Sequence, residues 1–226
     1  MKNSNNITPQ LIHMWKKSIE PWGATDLQSR FIYANSAFYQ LLDLPEDFDI
    51  TGLNIGELPS PIAKYREEFY LQDQKVIQKM QRVTSMETHP FGKYKVKQSY
   101  LCDKYPLYDN SGGCIGIIFH MYKTQGFSIS YYYDGVIPES PEFKPPSDKL
   151  EQIEWEILFL LLRSLDEKSI SEELMINIHD VTNYMQSVYQ KLNLSKHLEL
   201  KKFCKEQKLD RYIPERFVTV GSRELN

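Results

Sequence analysis

Four polar side chains in one stretch are of a kind that reads hydrogen-bonding edges. Between residues 178 and 192 the apolar Ile178, Val181, Met185, Val188 and Leu192 recur at helical spacing and mark an inward face. That places Asp180, Thr182, Asn183, Gln186 and Ser187 toward the outside. Asparagine and glutamine each hold a donor and an acceptor in one plane, which matches adenine N6 and N7, whereas guanine is most often read by Arg or Lys. Asp180, near the helix start, suits capping of backbone N–H groups, since a carboxylate facing phosphate would be repelled.

Other chemistry is sparse. There is no G-x-S-x-G, no phosphate-binding glycine loop and no H-E-x-x-H, so no nucleophile with its base and no zinc-protease pair is present. The carboxylates Glu46, Asp47 and Asp49 read as a solvated turn. Cys102, Cys114 and Cys204 are far apart and odd in number, with no C-x-x-C pair, which supports neither a disulfide framework nor a zinc site. His89 and His120 fall on expected strands, where a hydrogen-bonded structural histidine is the ordinary reading and contact with a ligand's polar group the sharper one. Phe31, Tyr33, Phe38, Leu42, Met80, Met86 and Tyr100 suit an apolar ligand pocket, and suit a filled core equally well.

The outward polar set needs a helical scaffold, and residues 148–194 supply it. Asp148 and Glu151 form a capping-box pattern ahead of a helix with Leu150, Ile153, Ile157 and Leu161. Asp166 caps a short helix burying Ile170 and Leu174; after a turn at Met175-Ile176, Asn177 caps the helix described above. Two helices joined by so short a turn make a helix-turn-helix. The run Leu150, Glu154, Glu156-Ile157-Leu158, Lys168, Ile170, Leu174, Ile176, Val181, Tyr189 and Lys191-Leu192 resembles the DNA-binding domain of LuxR-type regulators over about 60 residues. That resemblance implies that Thr182, Asn183 and Gln186 reach base edges, with Ser187 beside them, and that Tyr184, Lys191, Ser195 and Lys196 lie nearer the phosphates. The family usually has glycine where Ser164 and Met175 stand, and often Lys or His where Thr182 and Tyr184 stand. If the first two positions are left-handed, each lost glycine costs about 1 kcal/mol.

The 226 residues fit one large or two small domains, and a hydrophobic fraction of 41% is enough to fill their cores. No apolar run approaches the roughly 20 residues of a membrane helix, and the N-terminus has no signal-peptide pattern, so a cytoplasmic protein is expected. A net charge of −3 argues against sequence-blind nucleic-acid binding. The distribution is more useful: nine acidic and three basic residues over 148–180 give way to five acidic and nine basic over 181–226. A positive side that begins at the outward-reading helix suits a DNA face.

Ahead of this lie other elements. Thr8-Pro9 opens a helix to about Glu20, whose stripe of Leu11, Ile12, Trp15 and Ile19 must pack on the following domain or on a second copy. Two short strands at 22–26 and 30–33, a helix capped by Asn35, a long helix over 62–80, and strands at 85–89, 94–107 and 114–122 follow. Such an order makes an antiparallel sheet with its helices on one face. Asp26, Arg30-Phe31-Ile32-Tyr33-Ala34-Asn35 and Phe38, then Lys104-Tyr105-Pro106-Leu107-Tyr108-Asp109, Gly112-Gly113 and Ile115-Gly116-Ile117, resemble a PAS sensor domain. PAS relatives hold haem, flavin, metabolites or only side chains. Here the flavin-linking cysteine is missing between residues 35 and 97 and the long helix has no histidine, so neither haem nor flavin is expected, and a small unidentified ligand is the open alternative.

The expected architecture is therefore α+β: an amphipathic helix over 1–20, a PAS-like sensor over 21–124, a Pro/Gly/Ser linker over 125–147 that includes Tyr131-Tyr132-Tyr133, and a four-helix LuxR-type domain with its tail over 148–226. Together the two resemblances imply a non-enzymatic, homodimeric transcription regulator that binds double-stranded DNA. The alternative is an interaction module that pairs with or sequesters another regulator.

Overall fold

The computed structural model describes residues 7–123, 141–194 and 197–225, with the side chains of His197 and Leu198 outside the description. The chain forms two compact units, one of residues 1–124 with 219–226, the other of residues 125–218.

In the first unit, α1 (Pro9–Lys17) precedes β1 (Trp22–Asp26), β2 (Phe31–Ala34), α2 (Ser36–Leu42), two 3-10 turns, α3 (Arg66–Lys79), β3 (Val83–Phe91), β4 (Val96–Tyr108) and β5 (Cys114–Lys123). β6 (Gly221–Leu225) completes a six-stranded antiparallel sheet in the order β2-β1-β5-β4-β3-β6. Asn35 has its whole amide engaged: it accepts from the amides of Trp22 and Phe38 and donates to the carbonyls of Trp15 and Glu20. One side chain thus starts α2 and fixes the end of α1 against the first strand.

Neighbouring residues on a strand face opposite sides of the sheet, so Ile118 and Phe119 separate its two cores. Phe119 packs with Phe31, Phe38, Leu42, Phe91, Cys102 and Met121 under α2. Ile118 packs with Trp15, Trp22, Ala24 and Leu107 under α1. Helices therefore cover both faces, not one: the apolar stripe of α1 is spent on its own sheet, with Trp15 only 1% exposed, while Ile19 lies past the helix end at 95% exposed. Gly116 lets β5 approach β1, since a Cβ there would lie 1.9 Å from the Thr25 carbonyl oxygen.

The second unit holds α4 (Gln152–Leu162), α5 (Glu167–Leu174), α6 (Ile178–Lys191) and α7 (His197–Glu206). Every residue of α4 from Glu154 to Leu161 is buried, so the other helices gather around it. The capping box lies three residues later than expected: Glu151 is the cap and Glu154 its partner. Asp166 and Asn177 cap α5 and α6 by accepting from the amides of Ser169 and His179. Ser164 and Met175 are left-handed, at φ 65° and 55°. Ile178, expected inside, is 44% exposed because the helix begins there, away from the core.

Beyond α7 the chain lies on this core. Tyr212 meets Trp155 edge-on at 5.3 Å, Phe217 stacks on Phe159 at 4.7 Å, and the Arg216 guanidinium donates to Glu156 and to the Leu174 carbonyl. The expected domain over 148–226 is too long at its end, because residues 221–225 pair with β3 and belong to the sensor sheet. Linker residues 125–140, with Tyr131-Tyr132-Tyr133, lie outside the described residues.

Candidate nucleic-acid face and sensor cavity

On α6, Asn183 and Gln186 are exposed. Thr182 donates to Glu167 and to the Ile178 carbonyl, and Tyr184 packs half-buried against the unit's core. Ser187 and Lys191 are committed elsewhere. Ser187 Oγ donates to Glu154 Oε1 at 2.6 Å, and Lys191 Nζ lies 2.8 and 2.7 Å from the two Glu154 oxygens. Glu154 is 2% exposed and also accepts from the Glu151 amide, so one buried carboxylate ties the start of α4 to the last turns of α6. Burial alone would raise its pKa; the Lys191, Ser187 and Glu151 hydrogen bonds outweigh that and hold it below the ordinary carboxylate range. Lys191, expected at phosphate, is thus first an internal counter-ion. Glu154 directly ahead of the apolar run 155–162 was the available signal for this, since a carboxylate buried with that run needs a partner. Ser195 and Lys196 lie outside the described residues.

The sensor unit holds a partly open cavity of about 170 Å³ between α3 and the inner face of the sheet. Its apolar walls are Phe31, Phe38, Ile55, Ile62, Phe69, Phe119 and Met121. Lys104 and Asp73 meet in its lining at 2.6 Å, with side chains 6% and 8% exposed, and the ammonium also donates to the Phe69 carbonyl. Burial pulls the Lys104 pKa down, but the Asp73 charge prevails and the net shift is upward, so the ammonium stays charged. Cys102 is also in the wall, its thiol pushed up by burial.

Of the nine pocket residues expected, Phe31 and Phe38 line this cavity. Leu42 and Tyr100 belong to the same inner core without lining it. Fully buried His89 does not line it either; its Nε2 sits 3.0 Å from Glu87, whose carboxylate also accepts from Ser85, Gln72 and Ser222. Tyr33 and His120 lie on the opposite face, Tyr33 against Trp15 and His120 stacked on Trp22 with Nε2 at 2.6 Å from Glu20. Met86 alternates with inward Ser85 and Glu87, which turns it to that same outer face, and Met80 is 47% exposed at the end of α3. The polar lining of Thr25, Arg30, Arg66, Asp73 and Lys104 was not foreseen. The alternation on β4 that carries inward Tyr100 through Cys102 to Lys104 was the clue to it.

Among the described residues no group of three or more His, Cys, Asp or Glu side chains is placed to hold a metal ion. No described helix is long and apolar enough to cross a membrane.

A family model described as PAS fold matches residues 15–128. No curated protein sequence matches the chain. Among solved structures, a ligand–DNA complex of Vibrio cholerae VqmA is similar over 98% of this chain and 98% of that one, at 27% identity and a TM-score of 0.73. A phage VqmA–DPO complex shares the fold over 96% and 95% of the two chains, at 24% identity and TM-score 0.70. A V. cholerae VqmA dimer without target DNA, described as a LuxR-type receptor, is similar over 97% of both chains, at 27% identity and TM-score 0.52. With its sheet order and its inner cavity, the chain belongs to the PAS fold family, and its second unit carries a capped helix-turn-helix.

Proposed function

We propose that this protein is a ligand-responsive transcription regulator that works in the cytoplasm as a homodimer on double-stranded DNA. The observation that carries the reading is likeness along the full length of both chains to a VqmA structure that holds ligand and DNA together. The internal features agree with it. The sensor has a cavity with a charged pair in its lining, and the helical unit presents a capped helix with exposed Asn183 and Gln186. The reading is that of a regulator and not of an enzyme, in keeping with the similar structures.

On DNA, two copies of α6 would enter successive major grooves about 34 Å apart. Asn183 and Gln186, with Thr182, favour an A·T-rich half-site, because none of the three carries the guanidinium or ammonium that reads guanine. Ser187 stands beside that row, and Tyr184 and Lys191 flank it toward the phosphates. Lys191 brings little free charge there, since Glu154 already neutralises it.

Selection of sites from a random DNA pool by the full chain tests the reading, with Asn183→Ala and Gln186→Ala run beside it. An enriched A·T-rich palindrome is expected, and each variant should lose about 1–3 kcal/mol of discrimination at one base pair. The commitment of Lys191 to Glu154 favours one rival, an interaction module that sequesters another regulator. No enrichment at low salt would establish that rival and sink the proposal.

A further inference from the structure

Topology makes the helical unit an insertion. The sensor sheet has β1 to β5 before residue 124 and gains β6 only at Gly221–Leu225, so the helical unit lies between two strands of one sheet. It is therefore joined to the sensor at both ends, and the two connections differ in reach. Eighteen residue steps separate Lys123 from Pro141, enough for about 60 Å of extended chain, whereas four separate Phe217 from Gly221, about 14 Å at most.

The short connection is fixed at both of its ends. On the helical side Phe217 stacks on Phe159, and the Arg216 guanidinium donates to Glu156 and to the Leu174 carbonyl. On the sensor side β6 pairs with β3 from Thr88↔Gly221 to Thr84↔Leu225. One stripe of α3 grips it as well: Glu68 accepts from the Ser222 amide at 2.9 Å, Gln72 donates to the Ser222 hydroxyl, and Lys75 pairs with Glu224. Those α3 positions are four and then three residues apart, which places them on one helix face. The Ser222 hydroxyl in turn donates to the fully buried carboxylate of Glu87, which is costly to leave short of donors. Gly221 turns the chain into the strand at φ 132°, a conformation that residues with side chains rarely adopt. Only Val218, Thr219 and Val220 lie between the two anchorages.

We propose that β6 is a positioning strap for DNA binding: by fixing the tail of the helical unit to the sensor, it holds α6 of each protomer ready for its half-site, so that the dimer accepts one half-site spacing. Held by the long connection alone, each helical unit would have to be ordered anew in every binding event, and that ordering cost would come out of the affinity for the paired site. A single half-site makes no such demand, since one helical unit can dock on it in any orientation relative to its sensor. This rests on the reading of the chain as a homodimeric DNA-binding regulator.

The test lengthens the strap without removing it. Inserting about eight Gly/Ser residues between Thr219 and Val220 adds about 16 Å of flexible reach and leaves every residue of β6 in place. Full-length parent and variant are compared by fluorescence anisotropy on three duplexes built from the selected sequence: the paired site, the paired site with two base pairs added between its halves, and one half-site. The variant should bind the paired site at least fivefold more weakly and lose most of the parent's preference for the original spacing, while its half-site affinity stays within twofold. The comparison is repeated in a Met86→Cys/Arg223→Cys background, where a disulfide across that facing pair keeps β6 docked even if the longer tail loosens it. Hydrogen exchange of β3 and β6 reports docking in each protein. Paired-site affinity and spacing preference within twofold of the parent's, or a half-site loss as large as the paired-site loss, overturns the strap while DNA binding stands. No site enriched by the parent at low salt overturns the DNA-binding reading and this inference with it.

Discussion

Replacing Lys104 by methionine keeps most of the side chain's length and deletes its charge. The Lys104–Asp73 pair is 2.6 Å apart with side chains 6% and 8% exposed. At an effective dielectric constant near 20, two unit charges at that separation attract by about 6 kcal/mol. Withdrawing each ion from water costs several kcal/mol, so the intact pair contributes little net. The single variant is a different matter, because it leaves Asp73 buried without a counter-ion, at a cost of about 3–5 kcal/mol. The double variant Lys104→Met/Asp73→Leu removes both charges and should return to within about 1 kcal/mol of the parent, or exceed it. Two units need not unfold together, so the measurement is hydrogen exchange of α3 and β4 peptides in the full chain rather than one melting curve. Their protection should fall by about two to four powers of ten in Lys104→Met and recover in the double variant. A single variant as stable as the parent, or a double variant as unstable as the single, would refute the account of this pair as an offset buried charge.

Glu154→Gln should cost the helical unit about 1.5–3 kcal/mol, by urea unfolding followed through exchange of α4 and α6. Because the Glu154 carboxyl is held below its ordinary range when folded, it contributes stability above the unfolded pKa and loses it as pH falls through the folded value; the variant should therefore lose part of the parent's acid sensitivity below about pH 5. Met175→Gly relieves a left-handed residue that is 82% exposed, and should stabilise the same unit by about 0.5–1 kcal/mol, seen as a higher urea midpoint with an unchanged slope. Ser222→Ala leaves Gln72 and Glu87 short of a shared partner, and should speed exchange in β6 and β3 while α4 to α6 stay as protected as before.

The local rules were legible wherever a single residue enforces them. Asn35, Asp166 and Asn177 each cap the helix assigned to them, and Ser164 and Met175 take the left-handed turns that glycine usually fills. The first cap of the second unit slipped because Asp148, Glu151 and Glu154 are spaced by three, so two boxes fit the same letters. Lys191 settles the choice by drawing Glu154 inside. The cavity was harder to read for a different reason. Alternation tells which strand residues share a face, but not which face, and Tyr33, Met86 and His120 fell on the outer side. Lys104 on a strand reads as solvated until Asp73, 31 residues earlier, is brought against it. The polar run Gly221–Leu225 has almost no strand signal of its own, and its partner is more than a hundred residues away.

That last strand sets an order of events. β6 follows the whole helical unit in the chain, so during synthesis the sensor sheet first exists with five strands and an open β3 edge. The Glu87 carboxylate meanwhile lacks the hydroxyl that Ser222 later brings. The helical unit, whose contacts are mostly between neighbouring helices, has time to form in that interval, and local contacts of that kind assemble fastest. The sensor is thus begun first and finished last. Until β6 arrives, its open edge is a template for any extended chain nearby, so newly made molecules are more exposed to strand-mediated association than the finished protein.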